Sequence, residues 1–184
     1  MQPAIFLDRD GVIIENREDY VRSWAEVSFI PAALHALRKL SPLGWVIVIV
    51  TNQAVVGKGL VTLEAAEEIN RRVVAEVVRH GGRIDAAYLC PHRPDENCDC
   101  RKPKPGMLLR AARDLDLDLS RSVMIGDAIT DMQAARAAGV HGILVKTGRG
   151  LTELCSFVGT PWFDIARDLA DVAESLVQIE RMAI

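Results

Sequence analysis

Long apolar runs are missing from this chain. The stretch WVIVIV (45–50) has only six residues, far short of the ~20 that a membrane-spanning helix needs, so no membrane association is expected. An excess of positive charge is missing too. Lys and Arg number 22 against 25 Asp and Glu, a formal net charge of −3, whereas nucleic-acid binding usually shows a basic face; no nucleic-acid partner is expected. Cysteine is scarce, four residues in all. Three of the four share one short stretch, a pattern that fits metal ligation in a reducing compartment better than a disulfide framework. Met1-Gln2-Pro3 runs straight into an apolar segment with no basic n-region or cleavage site, so no signal peptide and a cytoplasmic location are expected. Internal repeats, low-complexity segments and linkers are also lacking. One domain over residues 1–184 is the simplest reading of such a length, and nothing suggests an obligate oligomer, so a monomer is expected.

What is present is an alternation. AIFLD (4–8), WVIVIV (45–50), IDAAYLC (84–90), SVMIGD (122–127) and HGILVK (141–146) are short, continuous and rich in β-branched residues, as parallel strands covered on both faces are. Between them lie amphipathic stretches at 31–40, 62–82, 105–117 and 130–139. Pro31 suits a first turn, Thr62 an N-cap and Gly81-Gly82 a helix end. After Thr147 the pattern is less regular; PWF (161–163) reads as a short strand and 164–182 as a closing helix. The expectation is an α/β fold with a doubly wound, mainly parallel sheet.

Polar groups gather where the strands end, which is where open α/β sheets bind ligands. The first strand ends in LDRDG, Leu7 to Gly11. Asp8 and Asp10 can meet around a hard cation such as Mg²⁺, with Gly11 letting the chain bend; taken alone the stretch is equally a solvated turn. The second ends in VTNQ, where Thr51, Asn52 and Gln53 offer groups for phosphoryl oxygens or merely begin a loop. RKPKPG (101–106) brings the Arg101 fork and the Lys102 charge before a helix, or is a solvated basic run. The fourth strand ends in GDAITD, with Asp127 just past it and Asp131 in the first helical turn, a position that also suits a carboxylate without catalytic work.

In this order and spacing the four motifs resemble the haloacid dehalogenase-like phosphatases over about residues 4–146. The resemblance implies a doubly wound fold of that family and a Mg²⁺-dependent phosphatase. Asp8 is then the nucleophile that forms an aspartyl-phosphate, and Asp10 the acid and base. Mg²⁺ is held by Asp8, the Asp10 carbonyl and Asp127, with Asp131 in support. Thr51 and Lys102 engage the phosphoryl group, and Arg9, Asn52, Gln53 and Arg101 join the substrate contacts.

Cys90, His92, Cys98 and Cys100 lie within eleven positions, a Cys₃His set suited to closed, structural Zn²⁺ and unsuited to Mg²⁺. A zinc loop over 90–100 would aim Arg101 and Lys102, which follow without a spacer. Within the family, such a loop running into CRKP resembles two groups, the heptose bisphosphate phosphatases of surface-sugar synthesis and the histidinol-phosphate phosphatases. Continuation into KPKPGM favours the first, and implies removal of the 7-phosphate of a small phosphorylated sugar, D-glycero-D-manno-heptose 1,7-bisphosphate. Four positions depart from that group's pattern: Ala54-Val55 stand where Ser-Gly is frequent, Ala128 where Lys is frequent, and Lys58 where Arg is frequent. Both segments that could carry a cap are short, so the enzyme is expected to be essentially capless. Specificity would come from loops 12–24, 51–60 and 90–105. His35, His80 and His141 read as surface or packing residues, and Cys155 as a buried small hydrophobe.

Overall fold

A computed structural model describes residues 1–182. Six parallel strands form one sheet: β1 (Ala4–Leu7), β2 (Val46–Asn52), β3 (Ala86–Cys90), β4 (Val123–Gly126), β5 (His141–Val145) and β6 (Asp164–Ala166). Their spatial order is β3-β2-β1-β4-β5-β6. Leu7 lies opposite both Ile49 of β2 and Ile125 of β4, so β1 is central and the chain reverses its direction of winding there. The carboxyl end of β1 is therefore a topological switch point, where such sheets leave a ligand crevice.

Side chains alternate across the sheet. Ile5, Leu7, Ile47, Ile49 and Ile125 face one way, into a core completed by α1 (Pro31–Leu40), α3 (Leu63–Arg79) and α7 (Leu169–Met182). Ala4, Phe6, Val48, Val50 and Met124 face the other, against α4 (Gly106–Leu115) and α5 (Ile129–Ala138). Complete burial of an Ile or Phe side chain contributes roughly 1.5–3 kcal/mol, and both faces of the central strand collect it. The continuous apolar runs of the sequence have this cause.

Thr62 caps α3 through a bond from Ala65 N, as its position suggests. Two short helices, α2 (Ala54–Gly57) and α6 (Gly150–Ser156), have no clear sequence signal. The tail is corrected in register: the last strand is 164–166 rather than 161–163, and the closing helix begins at Leu169 rather than 164. Cys155 is corrected as well; it is exposed on α6, not buried. Among the described residues no helix is long and apolar enough to cross a membrane. No inserted domain follows β1 or β3 there; the segments are loops with single 3-10 turns at 24–26 and 94–96.

Candidate active site

The ends of β1, β2 and β4 deliver their polar residues to one place. Asp8 follows β1 directly, its Oδ1 accepting from Arg9 N (2.8 Å) and Lys102 Nζ (3.0 Å). Lys102 is buried and fully engaged: Nζ also donates to Asp131 Oδ1 (2.6 Å) and to the Val50 carbonyl (2.8 Å), which uses all three ammonium hydrogens. Its backbone is clasped by Asn52, which accepts from Lys102 N and donates to Lys102 O, each at 3.1 Å. Asn52 is thus bonded to the basic loop itself.

Asp127 is completely buried behind Asp8. Its Oδ2 accepts from Arg149 N (2.8 Å), while its Oδ1 has no partner. Two glycines make room for it. Gly11 (φ +83°) and Gly148 (φ +56°) both lie so close that a Cβ on either would collide with Asp127 Oδ2, and both adopt a backbone region that disfavours side chains. Thr147 ties the two loops together, its Oγ1 donating to the Gly11 carbonyl (2.6 Å).

Asp8, Asp127 and Asp131 each bring an oxygen within 4.8 Å of the others. Burial, with the neighbouring Asp8 and Asp131 carboxylates, pushes Asp127 up to about 7. Burial also raises Asp131, to about 6, against the pull of Lys102. Burial would depress Lys102, but Asp131 and Asp8 outweigh it and hold the ammonium above its ordinary value. One lysine does not balance three buried carboxylates. An all-oxygen donor set with an unpartnered, buried Asp127 Oδ1 fits a hard divalent cation, Mg²⁺ above all. Asp131 stands within this cluster, while the Asp10 side chain does not join it.

The carboxylate crowding has a measurable consequence. Between about pH 4 and pH 7 the folded, metal-free protein holds protons on Asp127 and Asp131 that the unfolded chain has released. Its stability therefore falls as pH rises through that window. Mg²⁺ replaces those protons, so the melting-temperature rise it causes is expected to be small at pH 5.5 and several degrees larger at pH 8. This corresponds to about 1–2 kcal/mol in a chain of this size. Scanning fluorimetry with and without Mg²⁺ reads it, and a pH-independent increment would contradict the account.

Asp10 points elsewhere. Its Oδ2 accepts from Gln53 Nε2 (2.7 Å) and Arg9 Nη2 (3.0 Å), with a longer Arg9 contact to Oδ1 (3.2 Å). Gln53 Nε2 also reaches Thr51 Oγ1 (2.9 Å), and Thr51 is buried. Asp8, Asp10, Asn52, Gln53, Arg101 and Lys102 line a cleft of about 1150 Å³. Arg9 does not; its expected substrate contact is corrected to a buried position, 1% exposed.

Further cleft residues escaped the sequence reading. These are Thr130 and the segment Gly148, Arg149, Thr152, Glu153 and Ser156, which line the cleft wall together with Glu15, Asn16, Arg17, Glu18 and Tyr20 of the 12–24 loop from which specificity was expected. Trp24, in that same loop, turns away and stacks under Arg72, whose guanidinium lies 4.5 Å from the ring centre. Ala54 belongs to the wall; Ala128 instead begins α5, its N–H donating to Asp131 Oδ2 (3.0 Å). Lys58 donates to the Tyr20 hydroxyl (2.7 Å).

The cysteine loop closes on itself beside this cleft. Cys90 ends β3 and is buried; Cys100 Sγ lies 3.2 Å from Cys90 Sγ and 3.5 Å from Cys98 Sγ, and His92 Nδ1 lies 3.3 Å from Cys100 Sγ. A tetrahedron with metal–sulfur bonds of about 2.3 Å has edges of about 3.8 Å, so this Cys₃His cluster fits Zn²⁺. Burial and sulfur neighbours push the Cys90 thiol up, a cost that a bound cation removes by stabilising thiolate. Arg101 Nη1 donates to the His92 carbonyl (3.2 Å), and Lys102 follows. The loop is thereby joined to the cleft-lining Arg101 and Lys102.

Comparison with known proteins agrees with this geometry. A family profile described as "HAD-hyrolase-like" matches residues 99–172. The D-glycero-beta-D-manno-heptose-1,7-bisphosphate 7-phosphatase of Pseudomonas aeruginosa is 41% identical over 95% of this chain and 97% of its own. The chain belongs to the HAD-like phosphatases. The Escherichia coli protein of the same name is 36% identical over 98% of this chain and 97% of its own. Among solved structures, the D,D-heptose 1,7-bisphosphate phosphatase of B. bronchiseptica, complexed with magnesium and phosphate, superposes with a TM-score of 0.91 at 37% identity. It covers 96% of this chain and 99% of that one. As a HAD-like phosphatase the chain is a phosphoric monoester hydrolase.

Proposed function

We propose that this enzyme removes the 7-phosphate of D-glycero-D-manno-heptose 1,7-bisphosphate through an aspartyl-phosphate on Asp8. The observation that carries the chemistry is the buried carboxylate trio with its unpartnered Asp127 oxygen, set against Lys102 at the cleft floor. The observation that carries the substrate is near full-length similarity to proteins of that name.

Asp8 Oδ1 is oriented by Lys102 and Arg9 N, leaving the other oxygen to attack phosphorus. A phosphorus–oxygen bond to Asp8 forms as the one to the sugar breaks. Asp10, held by Gln53 and Arg9, passes a proton to the departing sugar oxygen. Asp10 then takes a proton from water as that water attacks phosphorus, returning Asp8 and releasing inorganic phosphate. Asp8, Asp127 and the Asp10 carbonyl, with Asp131 behind them, would hold Mg²⁺, which supplies charge neutralisation for the anionic nucleophile and phosphate. Lys102 offsets part of the negative charge of Asp8 and Asp131 and places a fixed positive charge beside the phosphoryl site. The Thr51 hydroxyl, held by Gln53, supports the phosphoryl site.

The cleft rim carries both signs, Arg17, Arg101 and Arg149 beside Glu15, Glu18 and Glu153. Guanidinium forks suit a second phosphate, which histidinol phosphate lacks, and carboxylates accept from sugar hydroxyls; the three arginines thus favour a bisphosphate over histidinol phosphate. One domain, a monomeric state and a cytoplasmic location complete the proposal.

The test is kcat/KM with Mg²⁺ on both anomers of the heptose bisphosphate beside histidinol phosphate. A preference for the heptose of about a hundredfold or more, 2.7 kcal/mol in transition-state binding, is expected. A reversed preference would assign the enzyme to histidinol phosphate, and poor turnover of both would leave only the phosphatase chemistry.

A further inference from the structure

Arg9 is the largest of the fully buried side chains, and it sits between the two aspartates that do the chemistry. A cation in that position needs compensation, and because its Nε has no partner its two terminal arms carry all of it. Nη2 meets Asp10 at 3.0 and 3.2 Å, while Nη1 donates to Asn70 Oδ1 at 2.6 Å. Asn70 lies on α3, buried, on the helix face that carries Ile69, Val73 and Val77 into the core. No α3 residue lines the cleft. Asn70 is therefore a buried amide on an otherwise apolar helix face, with a short bond to a buried guanidinium whose other arm grips Asp10.

We infer that Asn70 is a positioning residue for catalysis: it anchors Arg9, and Arg9 with Gln53 fixes the Asp10 carboxylate at the angle from which it protonates the leaving sugar oxygen. An arginine has a long, flexible stem, and its planar fork is directional only when both arms are engaged. Gln53 alone constrains one oxygen of Asp10 and leaves the carboxylate free to rotate about that bond. A guanidinium tethered at its far arm to a helix built into the core removes that rotation. A misplacement of about 1 Å is enough to cost about a hundredfold in a step that depends on orientation. Asn70 needs no contact with substrate to have this effect. The inference rests on the assignment of Asp10 as the acid.

The experiment compares two leaving groups. With the heptose bisphosphate, the sugar oxygen departs only if Asp10 supplies a proton; with p-nitrophenyl phosphate the phenolate departs without one. For both, kcat/KM reports transfer to Asp8, the step in which Asp10 is an acid. In Asn70→Ala, kcat/KM on the heptose bisphosphate is expected to fall at least tenfold, chiefly in kcat, and on p-nitrophenyl phosphate by no more than about threefold. Asn70→Asp keeps an acceptor at the same reach and is expected to recover most of the loss. Arg9→Lys fills the buried space and keeps the charge but lacks the fork, so it is expected to show the same selective loss should Asn70→Ala fold poorly. Melting temperatures of all variants are measured alongside.

An equal loss on both substrates, or none on the heptose, overturns the inference. Asp10→Asn in the same assay separates the two assignments. If it too lacks selectivity, the role of Asp10 is wrong; if it is selective and both strut variants are not, only the role of Asn70 fails. If the parent enzyme leaves the heptose untouched, the substrate reading fails by itself. Fructose 1,6-bisphosphate then serves as the alkyl ester.

Discussion

Replacing Asp8 by Asn is expected to abolish turnover, by about 10⁴-fold or more, while leaving a folded protein. Asn keeps an oxygen in the place where Asp8 Oδ1 accepts from Arg9 N and Lys102 Nζ, so the local bonds survive. The amide is a poor nucleophile and cannot carry the phosphoryl group as an acyl phosphate. The substitution also removes one of three negative charges packed around one lysine. In the absence of divalent cation the variant is therefore expected to melt a few degrees higher than the parent, since about 1 kcal/mol shifts a chain of this length by roughly 2–4 °C. Loss of activity with a gain in metal-free stability separates a functional carboxylate from a structural one. Residual turnover within tenfold of the parent would show that another group attacks phosphorus.

The second large effect is expected at the cysteine loop. Cys98→Ala should yield protein without bound zinc, against one zinc per chain in the parent, with kcat/KM lowered by about 100-fold. Cys98 is partly buried at the edge of the apolar core and not within it, so truncating it opens no large cavity. What is lost is the cation that lets three sulfurs and an imidazole sit within 3.2–3.6 Å of their neighbours. Without it the loop has few apolar contacts to hold it. Gly106, at the start of α4, shows how closely it is packed when closed: a Cβ there would collide with the Asp99 carbonyl. Arg101 hangs from the His92 carbonyl and moves with the loop. Lys102 retains its Asn52 clasp, which is why a fraction of activity is expected to remain. Metal analysis and steady-state rates decide it; a zinc-free variant with unchanged kcat/KM would reduce the loop to ornament.

Much of this arrangement was legible beforehand. Five strands and the helix at 31–40 follow from period and composition, because short continuous apolar runs have few alternatives to a place in a parallel sheet. The strand at 164–166 was not, because Asp164 and Ile165 are exposed at the sheet edge and only pairing with β5 makes them a strand. The four motif positions were legible from their spacing. Arg149 was not, since it reaches Asp127 through its backbone N–H, a group every residue but proline has. Arg9 was misassigned by adjacency. Asp8 and Asp10 line the cleft, while the Arg9 side chain, in the bend between them, turns inward to Asn70 on α3, a direction set by the fold and not by spacing. Asn70 left a faint signal, a lone amide in the apolar stripe of α3. Cys155 had none, for a single small residue in an irregular tail carries no period.

The order of the strands also shapes how the chain comes into being. β1 is the first to be synthesised and ends in the middle of the sheet, with β2 on one edge and β4 on the other. β2 arrives within the next fifty residues, but β4 only at Val123–Gly126. Until β4 emerges, the nascent chain therefore carries an open, wholly apolar strand edge, the kind of surface that pairs with strangers and draws chaperones. The strand that finally covers this edge is followed at once by Asp127 and Asp131. Sealing the hazard and completing the carboxylate cluster are thus the same event, and a chain arrested before it is both sticky and inert.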